Sequence, residues 1–123
     1  MPQIQDAEYI ADILAIDHRI DNKNRELVEL TLQIANGALT GTIIKKRYYL
    51  MTRKVAEFLK KEMDLIHVTF ADKADFDTKM HLAVGKRVAF TAVTNESGNQ
   101  SFYLSGEITI ASPAPSQAQT LVW

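Results

Sequence analysis

The segment Arg25–Leu50 reads RELVELTLQIANGALTGTIIKKRYYL, and this pattern predicts a β-hairpin. In its first half, Arg25–Ile34, hydrophobic and polar residues alternate with the period of two that is typical of a strand buried on one face. The dipeptide Asn36-Gly37 that follows is typical of a tight reversal, where positive φ angles are expected. The second half, Thr42–Leu50, begins with β-branched residues and ends with aromatic ones, so we expect a second strand there.

Further strands are predicted on both sides of this hairpin. Glu8–Ile20 fits either a helical or a strand period, but its isoleucine content and the turn that follows favour a long first strand. Alternation predicts a fourth strand at Arg87–Thr94 and a fifth at Gln100–Ile110. Asn95–Asn99 has the composition of a hairpin turn between them, and Gly106 would permit a bulge.

Helices are predicted between the third and fourth strands. Thr52–Asp64 carries an apolar stripe at three-and-four spacing in which only Glu62 is out of place, and Thr52 is the expected N-cap. A short second helix is predicted from Asp72 through His81. The side chains expected to turn inward from this second helix are Phe76, Met80 and Leu82.

The resulting order is strand, strand, strand, helix, strand, strand. This is the order of an OB-fold, a partly open five-stranded barrel. We therefore expect a mainly β (α+β) protein in which residues 1–110 form one OB-fold-like barrel. The side chains expected to plug the barrel end are Val55, Phe58, Leu59 and Met63. From Ala111 the composition changes to Ser, Pro, Ala, Gln and Thr, so residues 111–123 are predicted to be a flexible tail that ends at Trp123.

Composition narrows the class of function. The 123 residues, of which 46% are hydrophobic and 24% charged, suit one globular domain. The absence of cysteine excludes a disulfide framework, a thiolate nucleophile and a cysteine zinc site. Because the net charge is -1, any nucleic-acid role must rest on a local basic patch. No signal peptide and no apolar run of about 20 residues is visible, so we expect a cytoplasmic protein without a membrane partner.

Cations and aromatic rings are densest on the third strand, at Lys45, Lys46, Arg47, Tyr48 and Tyr49. Proteins that bind single-stranded nucleic acid need cations to neutralise phosphates and flat rings on which unpaired bases stack. Alternate side chains of a barrel strand face solvent, so two or three of these five residues would form the platform. Which set faces out depends on a one-residue register. The alternative is an ordinary strand end, with one tyrosine in the core and the lysines solvating an edge.

Two residues of the last strands extend this candidate surface. Tyr103 is expected on the outer face of the fifth strand, where it could add a stacking ring, and Arg87 on the fourth strand could pair with a phosphate. The alternative is that Tyr103 only covers sheet surface. Arg25 and Lys23, beside the first turn, could also meet backbone phosphates, although a lone turn lysine is usually only solvated.

No set of catalytic or metal-binding residues is visible in the sequence. His18, His67 and His81 are widely spaced and match no metal-binding pattern. The acidic cluster Asp72, Asp75 and Asp77 could suggest a metal-dependent nuclease site, but it lies at a predicted helix start, where acidic residues interact favourably with the macrodipole. Phosphate-binding glycine loops and a nucleophile elbow are also missing. We therefore expect a non-catalytic protein that needs no cofactor and no metal.

Four stretches together resemble a family of small bacteriophage proteins. They are LTLQIANG at Leu30–Gly37, the cationic strand Lys45–Leu50, the helix at Thr52–Asp64 and VGKRV at Val84–Val88. Those phage proteins are similar to OB-fold single-stranded DNA-binding proteins and tend to lie among replication and recombination functions. The resemblance covers about residues 8–110, and it implies a role in phage DNA replication or recombination in the host cytoplasm. Cellular single-strand-binding proteins differ in ending with an acidic, Phe-tipped peptide.

Two function hypotheses follow. The first is a non-catalytic protein that binds single-stranded DNA by stacking and phosphate pairing, with an affinity that falls steeply as salt rises. The second is an OB-like protein-interaction module, an adaptor or an inhibitor, that acts through its sheet face or through self-association or partner binding at Trp123, because exposed tryptophan is a frequent anchor residue. The sequence leaves DNA and RNA open as ligands of the first.

Overall fold

The computed structural model describes residues 4–108, which form a five-stranded antiparallel sheet with two α-helices. The strands are β1 (Glu8–Ile20), β2 (Glu26–Ile34), β3 (Ile43–Tyr49), β4 (Arg87–Thr94) and β5 (Gln100–Glu107). The helices α1 (Arg53–Leu65) and α2 (Lys73–Lys79) both lie between β3 and β4 in the chain. Neither of these helices is both long and apolar enough to cross a membrane. The expected tail, with Trp123, lies outside the described residues.

The central strand of the sheet is β1, and the strand order is β3-β2-β1-β4-β5. The segment Ala11–Ile20 pairs with β2, and Glu8–Asp12 pairs with β4. A register shift between Ile13 and Ala15 leaves Leu14 unpaired with β2, and such a bulge bends a strand and increases its twist. Both halves of the sheet are thus attached to one bent strand.

The five strands and the helix between the third and fourth strands are confirmed, but the expected OB-fold-like barrel is not, because the sheet is open. β3 and β5 are the two edges of the sheet and are not paired as strands with each other in residues 4–108. Instead α1 contacts both β3 and β5 and covers the gap between them. A sheet can stop short of closure when a helix takes over the burial of its inner face, because the apolar side chains are then already removed from water.

Most predicted element bounds agree with the structure to within one or two residues. β1 has the predicted bounds, and Thr52 caps α1 by accepting a hydrogen bond at its side chain from the Val55 N–H, at 3.3 Å. The bulge predicted at Gly106 is confirmed: Gly106 pairs with Ala89 and Leu104 with Phe90, which leaves Ser105 as the extra residue.

The second helix and the last strand depart from the prediction. The helix ends at Lys79 and continues as a 3-10 turn over Met80–Ala83. Phe76 is buried as expected, but Leu82 is half exposed because the tighter turn brings Ala83 into the core in its place. β5 ends at Glu107 rather than at Ile110.

The core lies between the inner face of the sheet and α1. The alternating residues Leu30, Leu32 and Ile34 of β2 are fully buried, and α1 adds Leu59 and Met63. Burying one side chain of this size stabilises the fold by roughly 1.5–3 kcal/mol. The other two expected plug residues of the helix are only partly buried. Leu59 and Met63 thus belong to the core, whereas Val55 and Phe58 pack against it and are partly exposed.

We expect Leu59→Ala to lower the free energy of unfolding by about 2–5 kcal/mol, because it truncates a buried side chain at the centre of α1. Urea denaturation monitored by circular dichroism measures this loss. Leu65→Ala is the matched control, because it makes the same truncation in the same helix at a side chain that is 41% exposed. Equal losses in the two variants would contradict the burial of Leu59.

Candidate nucleic-acid interface

A cleft of about 380 Å³ lies between the two sheet edges, and we name it the β3–β5 cleft. Lys45–Tyr48 of β3 form one wall and Gln100–Tyr103 of β5 form the other. The residues Val55 and Phe58 of α1 complete the lining. The cleft exists because the sheet is not closed at this point, and α1 spans the gap.

A buried ion pair lies at the base of this cleft. The ammonium group of Lys46 is 3.1 Å from the carboxylate of Glu62, and their side chains are only 7% and 3% exposed. The hydroxyl of Tyr48 donates a hydrogen bond to the same carboxylate at 2.5 Å. Glu62 thus acts only as an acceptor, which suits an ionised carboxylate.

The same two charged side chains bind the free edge of β5. The Leu104 N–H donates to Glu62 at 2.9 Å, and the Lys46 ammonium donates to the carbonyl of Phe102. In a closed barrel a neighbouring strand would occupy these backbone groups. Here the side chains of Lys46 and Glu62 replace that strand, so β3, α1 and β5 are joined without strand pairing.

Aromatic rings surround the Lys46 ammonium. The ring centroids of Tyr48, Phe58 and Tyr103 lie 4.5, 5.5 and 5.7 Å from the nitrogen. These distances are within the range of attractive cation–π contacts. Phe58 and Tyr103 also meet edge to face, with centroids 6.0 Å apart. The ring of Tyr103 is therefore held in place while 44% of the residue stays exposed at the cleft.

Burial changes the proton affinities of two groups in this cluster. It lowers the pKa of the Lys46 amine, although the nearby Glu62 carboxylate opposes that change. Burial and the same carboxylate raise the pKa of the Tyr48 hydroxyl well above its ordinary value. Tyr48 consequently stays a neutral donor to Glu62 at physiological pH.

The side chains of β3 that point outward are those of Lys45, Arg47 and Tyr49. Both outward cations of the strand lie close to the carboxylate of Glu29. Arg47 lies 2.5 Å from Glu29, and Lys45 lies 4.0 Å from it. Burial alone would raise the pKa of Glu29, but hydrogen bonds from Arg47 and Arg19 outweigh burial and lower it. Glu29 thus stays ionised and offsets much of the positive charge on this face.

Two of the seven predicted site residues lie away from the cleft. The ring of Tyr49 packs under the guanidinium of Arg25, 4.5 Å from it. Arg87 binds both carboxylate oxygens of Asp12, at 2.8 and 3.1 Å. The cleft lining does not include either residue. The five that the structure does bring together there are Lys45, Lys46, Arg47, Tyr48 and Tyr103.

The roles of Lys46 and Tyr48 differ from the expected platform. Lys46 and Tyr48 are buried, because Ile44, Lys46 and Tyr48 share the inward face of β3. Neither side chain can present its polar end freely to a ligand, since both are bound to Glu62. Glu62 is a site residue that the sequence reasoning missed, and its signal was a charged residue in an otherwise apolar helical stripe.

A second cavity, of about 400 Å³, lies on the other side of α1, and His18 is one of its lining residues. The two ring nitrogens of His18 lie 2.5 Å from Asp77 and 2.7 Å from Glu26. Burial alone would lower the pKa of His18, but these two carboxylates outweigh burial and raise it above 6.5. Because Asp77 belongs to α2, this contact attaches α2 to the sheet.

No protein-family model matches the chain, and no curated protein matches it.

We expect Lys46→Met and Glu62→Gln each to cost about 3–5 kcal/mol of unfolding free energy, because each leaves a buried group without its partner. The double variant should lose clearly less than the sum of the two, which urea denaturation of all four proteins measures as a double-mutant cycle. Arg53→Gln breaks the exposed pair with Glu57 on the same helix and should change stability little. Additive losses would show that Lys46 and Glu62 are not coupled.

The contact of His18 should make stability depend on pH in a defined direction. A histidine whose pKa is raised in the folded state adds stability that is complete below its unfolded pKa, about 6.5, and is lost as pH rises through the folded pKa. We therefore expect wild type to exceed His18→Gln in unfolding free energy most at about pH 6, with the difference shrinking towards about pH 9. His81→Gln, at an exposed histidine, is the control. A difference that grows with pH would contradict this assignment.

Proposed function

We propose that this protein is a non-catalytic single-stranded DNA-binding protein and that the polynucleotide lies in the β3–β5 cleft. The observation that carries this proposal is the pair of rings, Tyr103 and Phe58, fixed at the cleft between two open strand edges. Such rings offer flat apolar faces to unpaired bases, and stacking contributes roughly 1–3 kcal/mol per base. Double-stranded DNA hides its base faces, so a stacking site of this kind selects single strands.

The strand order supports an OB-like relationship. The order β3-β2-β1-β4-β5, with α1 between β3 and β4, is that of an OB-fold opened between its third and fifth strands. OB-folds bind oligonucleotides on the face of their second and third strands and on neighbouring loops. The resemblance to phage replication and recombination proteins leads to the same proposal, with a role in those processes.

The cations at the cleft suit a phosphate backbone with modest affinity. Lys45 and Arg47 line one wall, but both are close to Glu29. A phosphate that binds them must therefore compete with this carboxylate. The rings are expected to provide more of the affinity on this side than the cations do.

We expect fluorescently labelled oligothymidine to bind the full-length protein in an anisotropy titration at low salt, and a duplex of the same length to bind more weakly. Tyr103→Ala should weaken binding by about 1–3 kcal/mol, the contribution of one stacked base. Tyr49→Ala is the matched control, because it removes a tyrosine from β3 that lies outside the cleft. No binding of any single strand at low salt would refute the function. A larger loss for Tyr49→Ala than for Tyr103→Ala would place the interface on the outer face of the sheet.

A further inference from the structure

Most of the cations that have no carboxylate partner among residues 4–108 lie on α1. Ten of the 14 lysine and arginine residues have a carboxylate within 4.0 Å among residues 4–108. The four that have none in this part of the chain are Lys23, Lys54, Lys60 and Lys61. Three of these four belong to α1. The cations of β3 are therefore paired with carboxylates, whereas α1 carries three lysines that have no carboxylate partner in this part of the chain.

Two of these lysines flank a ring of the β3–β5 cleft. Lys54 is four residues before Phe58 and Lys61 is three residues after it, so the three side chains share one stripe of the helix. Phe58 lines the cleft, while Lys54 and Lys61 are both exposed. The seven-residue separation puts the two lysines about 10 Å apart along the helix axis, a spacing that lets each meet its own phosphate.

The third helix lysine points to a different side. Lys60 is next to Lys61 in sequence, but a step of about 100° per residue places it on another stripe of the helix. It lines the second cavity together with Arg53. The helix therefore carries two cations beside the proposed ligand, Lys54 and Lys61, and two away from it, Arg53 and Lys60.

We propose that Lys54 and Lys61 bind phosphates of the polynucleotide backbone along the α1 side of the β3–β5 cleft. This inference rests on the proposed function and adds two ligand-binding residues to it. An unpaired ammonium can meet a phosphate without giving up a carboxylate, whereas Lys45 and Arg47 must exchange Glu29 for the phosphate. Lys46 makes no phosphate contact, because it is buried and bound to Glu62.

The salt dependence of binding tests this division of roles. For single strands, the slope of log affinity against log salt changes by about 0.7 for each phosphate contact that is lost. We expect Lys54→Gln/Lys61→Gln to make the slope shallower by about 1.4, measured by anisotropy with labelled oligothymidine over a salt series. The matched control, Arg53→Gln/Lys60→Gln, removes two cations from the second-cavity side of the same helix with the same change in net charge and should leave the slope unchanged. Tyr103→Ala should weaken binding without changing the slope.

The outcomes separate this inference from the proposed function. If wild type binds and the two double variants have the same slope, the assignment of Lys54 and Lys61 is wrong while the single-strand function stands. If wild type binds no single strand at low salt, the function itself fails and the assignment fails with it. Lys54→Arg/Lys61→Arg keeps both charges and should restore the wild-type slope. A slope that stays shallow in this arginine variant would overturn the inference, because it would reveal a damaged helix rather than lost phosphate contacts.

Discussion

The structure depends most on the buried ion pair between Lys46 and Glu62. Removing two charges from water costs several kcal/mol per ion, so such a pair is tolerated only where good geometry and further hydrogen bonds offset the cost. Both conditions are met here, because Tyr48 and two backbone groups of β5 complete the coordination. A small displacement of α1 or β5 would leave a buried charge unsatisfied. The pair thus sets how far apart the two sheet edges lie, and with that the width of the cleft.

The same pair determines which residues are available for binding. It commits Lys46 and Tyr48 to the interior, and it holds Tyr103 and Phe58 at the surface around the Lys46 ammonium. On the opposite face of the sheet, Glu29 offsets the outward cations of β3. A protein with a net charge of -1 can therefore still carry a local group of unpaired lysines. In this fold the cations of β3 are paired with carboxylates, and among residues 4–108 the lysines of α1 are not. Neither the net charge nor the local density of lysines in the sequence shows this difference.

Local sequence patterns were sufficient to predict the elements. The alternation in β2, the isoleucines of β1 and the Thr52 cap are all decided by residues close in the chain. The inward face of β3 could not be predicted, because its two faces have almost the same composition. Ile44, Lys46 and Tyr48 lie on one face, and Ile43, Lys45 and Arg47 lie on the other. The choice depends on Glu62, which is distant in sequence and reaches the strand only when α1 packs. Whether the sheet closes into a barrel also depends on tertiary contacts, so the hydrophobic periodicity of the strands does not predict it.

The position of β1 has a consequence for how the molecule opens. Its residues Ala11 and Asp12 pair with β2 on one side and with β4 on the other. Because successive amides of a strand point to opposite neighbours, exposing the amide protons of both residues requires β1 to part from both β2 and β4, which approaches global unfolding. Among residues 4–108, β3 and β5 each pair with one strand, so fewer strand hydrogen bonds hold them than hold β1. Local opening is therefore expected to begin at these two edges, to the extent that the contacts of Lys46 and Glu62 allow it.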